Sequence, residues 1–201
     1  MTCFQQKLSL VDGKMSRISE IIILCEDLAQ ERFARRFLKT GYNISDATHL
    51  IRVRPYPKGR GSGRQFVVER LGGEVVAYRR RHASTVLLVI CDADKDSVKT
   101  AQGLLDKQLQ SRRKADDKII YVIPRWHIET WIAYLYGEEI VKEKKKAVYK
   151  SKYGKLATTK SVNPEIDKLA EKCKNHIPLD SPPQSLRMAC VEFERIRGSL
   201  K

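Results

Sequence analysis

Histidine is scarce in this 201-residue chain, with four scattered at His49, His82, His127 and His176. The five cysteines, Cys3, Cys25, Cys91, Cys173 and Cys190, show no C-x-x-C spacing. Together these absences argue against a zinc centre, which needs grouped thiolate and imidazole ligands. Cys25 and Cys91 each end an apolar run and read as reduced core thiols. No Ser-His-Asp or Cys-His arrangement is visible, so nucleophilic hydrolysis of that type has no support. No apolar run approaches the roughly 20 residues of a membrane span. The N-terminus lacks the charged, apolar, small-residue order of a secretory signal. The expectation is a cytoplasmic protein without a membrane partner. The one glycine-rich loop lacks the GK[ST] ending of a phosphate-binding P-loop, which argues against ATP binding.

What the chain has in surplus is positive charge. Thirty-nine Lys and Arg against 24 Asp and Glu give a formal net charge of +15. A surplus of that size points to a polyanionic partner, because Lys and Arg release counterions from phosphates. Two stretches concentrate it. PYPKGRGSGR at 55–64 joins glycines, which permit close backbone approach, to Lys58, Arg60 and Arg64. VKEKKKAVYKSKYGK at 141–155 carries seven lysines against one Glu, with Tyr149 and Tyr153 four apart. Interleaved basic and aromatic residues suit contact with a nucleic-acid backbone, DNA or RNA, although such runs are also found simply solvated. Arg64, Lys58, Arg60, Lys144, Lys145, Lys146 and Lys152 are the expected nucleic-acid contacts.

Hydropathy patterning predicts alternating strands and helices. EIIILC at 20–25 and TVLLVIC at 85–91 are continuous apolar runs, as in strands buried on both faces. THLIRVRP (48–55) and KIIYVIP (118–124) read as two further strands. Helices are expected near 29–40 with Gly41 as C-cap, 64–81 interrupted at Gly72-Gly73, 96–113, 125–137, 164–175 and 184–197. That order implies an α/β fold with a mostly parallel four-stranded sheet flanked by helices. The expected organisation is an N-terminal extension at 1–18, one α/β domain at 19–137, and a basic helical extension at 138–201 packed on it.

In open parallel sheets, ligands collect beyond the C-terminal strand ends. Two strands here run directly into carboxylates: IIILC into Glu26-Asp27, and VLLVIC into Asp92-Ala93-Asp94. Strand alternation would turn Asp92 and Asp94 to one side and Ala93 to the other. Glu26, Asp92 and Asp94, with Asp96 nearby, form an all-oxygen set that suits Mg²⁺ or Mn²⁺. An Asp after a buried strand is often only a helix cap. Caps, however, have no reason to match across two strands.

IIILCEDLAQERFARRFL, followed some sixty residues later by VLLVICDADKD, resembles the Toprim fold, a Rossmann-like domain of topoisomerases, primases, RecR-type repair proteins and OLD-family nucleases. Glu26, Asp92 and Asp94 match its Glu and Asp-x-Asp pattern. The likeness is nearest to OLD-like and small stand-alone Toprim proteins and spans about residues 20–137. It departs at Asp27, where many relatives have Gly, and at Gln30, where many have a second Glu. The resemblance implies phosphodiester cleavage with Mg²⁺ or Mn²⁺, with Glu26, Asp92 and Asp94 catalytic. It adds Glu129, in the IPRWHIETW stretch, as a further catalytic carboxylate; alternatively Glu129 merely favours the dipole of its helix. It also implies an ATPase partner and a part in defence against phage. The competing expectation is a non-catalytic nucleic-acid-binding subunit of a repair or defence complex.

Overall fold

The computed structural model describes residues 18–45, 47, 50–57, 63–81, 85–114, 116–140, 143 and 147–199. The N-terminal extension, apart from Ile18, lies outside these residues. So do His49, His82, Lys58, Arg60, Lys144, Lys145 and Lys146.

Four strands, β1 (Glu20–Leu24), β2 (Leu50–Val53), β3 (Thr85–Ile90) and β4 (Ile119–Val122), form one sheet in the order β2-β1-β3-β4. Every pairing is parallel. Seven α-helices flank it among the described residues: α1 (Leu28–Tyr42), α2 (Gly63–Arg80), α3 (Val98–Asp106), α4 (Ile128–Leu135), α5 (Ala147–Ala157), α6 (Asn163–Lys174) and α7 (Gln184–Arg195). The arrangement is Rossmann-like, as the apolar strand runs predicted. Among the described residues no helix is long and apolar enough to cross a membrane.

Strand alternation divides the core into two layers. Ile21, Ile23 and Cys25 of the first strand, with Val86, Leu88 and Ile90 of the third, face α1 and α4–α7. Ile22, Leu24, Leu87, Val89 and Cys91 face α2 and α3. The extension helices bury their apolar faces in the same core as α1: Phe37 packs at a tilt against Phe193 of α7, with ring centroids 4.6 Å apart. Arg36 and Thr40 of α1 both hydrogen-bond to Asp167 of α6.

Several helix boundaries differ from the sequence expectation for physical reasons. Gly41 does not end α1. It is buried inside the helix, where an added Cβ would stand 3.6 Å from Ala170 of α6, and Asn43 (φ 56°) caps instead. Gly72-Gly73 does not interrupt α2, because Val67, Leu71 and Val75, one helical turn apart, hold both halves against the sheet. The third helix begins at Val98, where the Ser97 hydroxyl accepts a hydrogen bond from the Thr100 N–H at 3.0 Å.

Candidate metal centre

The parallel register Glu20↔Thr85 through Leu24↔Val89 brings β1 and β3 to the same level at their C-terminal ends. From there the chain leaves β1 for β2 on one side and β3 for β4 on the other. The crevice between them is the topological switch point, where such sheets take their ligands. Glu26 and Asp92 flank it. Glu26 Oε1 accepts the Asp92 backbone N–H at 2.6 Å, joining residues 66 apart in sequence.

Gln30 locks this pair. Fully buried on the first turn of α1, it accepts the Glu26 N–H at 2.9 Å and donates from Nε2 to Asp92 Oδ1 at 2.9 Å. Asp27 supports it from below by accepting the Gln30 N–H at 3.0 Å as the N-cap. Asp27 thus serves the helix start, which accounts for a carboxylate at the position after Glu26. Gln30 was not singled out as a site residue from sequence. The available signal was its position four residues after Glu26, one turn into the helix that follows the strand. On the other side, the N-terminus of α2 lies tight against the pair. A Cβ on Gly63 would come within 2.6 Å of Glu26 Cβ and 2.9 Å of its carbonyl oxygen, so only glycine fits.

Burial disfavours the charged forms of both acids. Desolvation pushes the Glu26 carboxyl up to about 7, aided by the charges of Asp94 and Asp27 and opposed by the Asp92 N–H bond. Asp92 is raised well above the ordinary range by burial first and the Glu26 charge second. Two carboxylates deprived of water and repelling one another are what a bound dication relieves. Hard oxygen donors of this kind fit Mg²⁺ or Mn²⁺. Among the described residues the hydrogen bonds to the Asp92 side chain reach only Oδ1, which leaves its second oxygen open to a metal.

Asp94 does not join them. It adopts φ 53° at the start of a turn, so the extended alternation expected to aim Asp92 and Asp94 together breaks at that residue. Its side chain is 53% exposed and faces Arg64 of α2 at 3.8 Å. Arg64 donates to Asp96 Oδ2 at 2.5 Å and to the Ala93 carbonyl at 3.1 Å. Arg125 grips the same turn from beyond β4, donating to the Asp94 carbonyl at 2.6 Å. Among the described residues no three His, Cys, Asp or Glu side chains are gathered closely enough to hold one ion. The structure therefore brings Glu26 and Asp92 together, and it leaves Asp94 and Asp96 on Arg64.

Glu129 lies buried in the first turn of α4, its Oε2 3.4 Å from His127 Nδ1. Burial opposes its charge, but the bond to His127, its own backbone N–H and the charge of Lys150 outweigh this and hold its carboxyl below the ordinary range. Glu129 is thus held by His127, and its charge acts on Asp92.

The expected nucleic-acid contacts are divided. Lys58, Arg60, Lys144, Lys145 and Lys146 lie outside the described residues. Lys152 is exposed but bonds to Glu138 at 2.6 Å. Tyr149 and Tyr153 are core residues, 4% and 5% exposed, so the pairing of lysines with stacking aromatics does not hold there. Trp131 is likewise core, donating to the Ser185 hydroxyl at 2.8 Å. Trp126 is half-buried, with its indole N–H on the Glu143 carbonyl at 2.5 Å and the Arg125 guanidinium 4.5 Å above its ring. Compared with protein-family models, with curated proteins and with solved structures, the chain matches none.

Proposed function

We propose that this protein is a Toprim-type nuclease that cleaves phosphodiester bonds of DNA or RNA with Mg²⁺ or Mn²⁺. The observation that carries this reading is the Glu26–Asp92 pair at the switch point of a parallel sheet: a half-buried and a buried acid that repel one another, with the Asp92 backbone N–H donating to Glu26 Oε1 at 2.6 Å. Glu26 and Asp92 would hold the ion, with Asp94 brought in from the neighbouring turn. The ion would supply charge stabilisation for the transferring phosphoryl group and a more acidic bound water. Gln30 orients the Asp92 carboxylate. Glu129, kept ionised by His127, adds negative charge that acts on Asp92. The net charge of +15 supplies attraction for the polyanion.

The test is cleavage of labelled DNA and RNA in Mn²⁺ by the wild-type chain, Glu26→Gln and Asp92→Asn. Metal-dependent cutting lost in both variants supports the reading. Metal-independent cutting, or cutting that survives both substitutions, refutes it. One observation favours a second reading, a non-catalytic nucleic-acid-binding subunit: Asp94 and Asp96 are both occupied by Arg64. Tight binding with no cutting in any divalent metal would select it.

A further inference from the structure

Arg64 has two incompatible employments. It is the first side chain of α2 after Gly63, and it directly follows the basic glycine-rich segment at 55–63. Its chemistry, a planar fork of five donors, suits phosphate oxygens as well as carboxylates. In the structure all its visible bonds go inward, to Asp96 Oδ2, to the Ala93 carbonyl and toward Asp94 Oδ2. The guanidinium is largely covered, with the side chain 17% exposed, while its partners Asp94 and Asp96 are 53% and 41% exposed. The acids are thus more open to solvent than the arginine that holds them.

The turn is built for exchange. Its backbone is fixed at two points that do not involve the acid side chains: Arg125 holds the Asp94 carbonyl at 2.6 Å, and the Ala93 N–H donates to the Pro124 carbonyl at 2.8 Å. The Asp94 carboxylate is then free to change rotamer without moving the chain, a fast and inexpensive motion for an exposed side chain. Its charge already acts on Glu26. A dication at Glu26 and Asp92 attracts the Asp94 carboxylate and repels the Arg64 guanidinium. Both effects loosen the 3.8 Å contact between Arg64 and Asp94, and the repulsion also works against the 2.5 Å bond between Arg64 and Asp96.

We propose that Arg64 is an exchangeable clamp, held on Asp94 and Asp96 in the metal-free protein and released by a divalent ion to bind a nucleic-acid phosphate. This rests on the metal-centre reading above and adds its regulation. Metal and nucleic acid then bind with positive coupling, each strengthening the other by the same factor. The metal-free protein does not spend its best-placed arginine on nucleic acid that it cannot process.

The experiment measures binding of a labelled single-stranded oligonucleotide by fluorescence anisotropy, with and without Ca²⁺, an oxygen-seeking dication used here to avoid turnover. In the wild type, Ca²⁺ should tighten binding by about tenfold, within the usual range of coupling between two sites. In Arg64→Gln that gain should vanish. Asp96→Asn should tighten metal-free binding beyond Asp116→Asn, which removes the same charge from an exposed site at the opposite end of the sheet. If the Ca²⁺ gain persists in Arg64→Gln, or Asp96→Asn behaves like Asp116→Asn, Arg64 is a fixed structural ion pair and the proposal fails. Calorimetry of Ca²⁺ binding separates the two layers. Ca²⁺ binding that is lost in Asp92→Asn, with no dependence of coupling on Arg64, overturns the clamp alone. No Ca²⁺ binding to the wild type overturns the clamp and the metal centre together.

Discussion

Replacing Glu26 by Gln should make the metal-free protein more stable at neutral and alkaline pH while removing its capacity for metal. Folding lifts the Glu26 carboxyl from 4.5 to about 7, chiefly by burial. The sign follows from which state holds the proton. Below about 4.5 the group is protonated folded or unfolded, and it costs nothing. Between 4.5 and about 7 only the folded state keeps the proton. Stability therefore falls as pH rises through this window, and the full penalty stands above it. The gap corresponds to about 3 kcal/mol at pH 8. A Gln amide oxygen can still accept the Asp92 N–H, so that bond is kept and the charge is removed. After allowing for imperfect packing of the new amide, Glu26→Gln should gain about 1–3 kcal/mol at pH 8. For a chain of this length that raises Tm by roughly 3–8 °C. The assay is thermal unfolding in EDTA from pH 5 to 8, with the gain shrinking toward pH 5. Added Mn²⁺ should raise the Tm of the wild type and not that of the variant. A variant no more stable than wild type at pH 8, with a pH-independent difference, would show that the pair is not under electrostatic stress. Stability gained at the expense of function is the usual mark of a functional site.

Three further outcomes follow from the same structure. Gln30→Leu should destabilise by about 2–4 kcal/mol in urea unfolding, because it strands the buried Glu26 N–H and Asp92 Oδ1. Gly63→Ala drives a Cβ to within 2.6 Å of Glu26 Cβ, so α2 must shift; Mn²⁺ affinity by calorimetry should fall at least about tenfold, as displaced ligands require. Asp167, whose bonds to Arg36 and Thr40 hold its carboxyl below the ordinary range against the pull of burial, ties α1 to α6. Asp167→Asn should cost about 1 kcal/mol at pH 7, given solvent screening, with the difference disappearing as pH falls below the ordinary Asp range.

The sheet was legible because β1, β3 and β4 are short, nearly continuous apolar runs, with only β2 (LIRV) broken by Arg52. The convergence of Glu26 and Asp92 followed from that, since parallel neighbours end at one edge. What sequence patterning missed depends on contacts between distant segments. Gly41 was read as a local stop signal, yet its lack of a side chain serves the approach of Ala170. Tyr149 and Tyr153 looked like a basic-aromatic recognition stripe, yet helical spacing alone cannot tell an outward face from the inward one they occupy. Asp94 was expected to follow strand alternation, but the chain turns at φ 53° and hands its carboxylate to Arg64. Gln30 looked like a departure from a familial acid, and its fully buried bridge between the two strand ends became visible only with both partners in place.

The most direct measurement is anomalous diffraction from crystals soaked in Mn²⁺. The account predicts a peak at the β1/β3 switch point within bonding distance of both the Glu26 and Asp92 carboxylates, with Arg64 withdrawn from Asp94. A crevice without manganese at saturating concentration, or manganese bound only elsewhere on the chain, would contradict it.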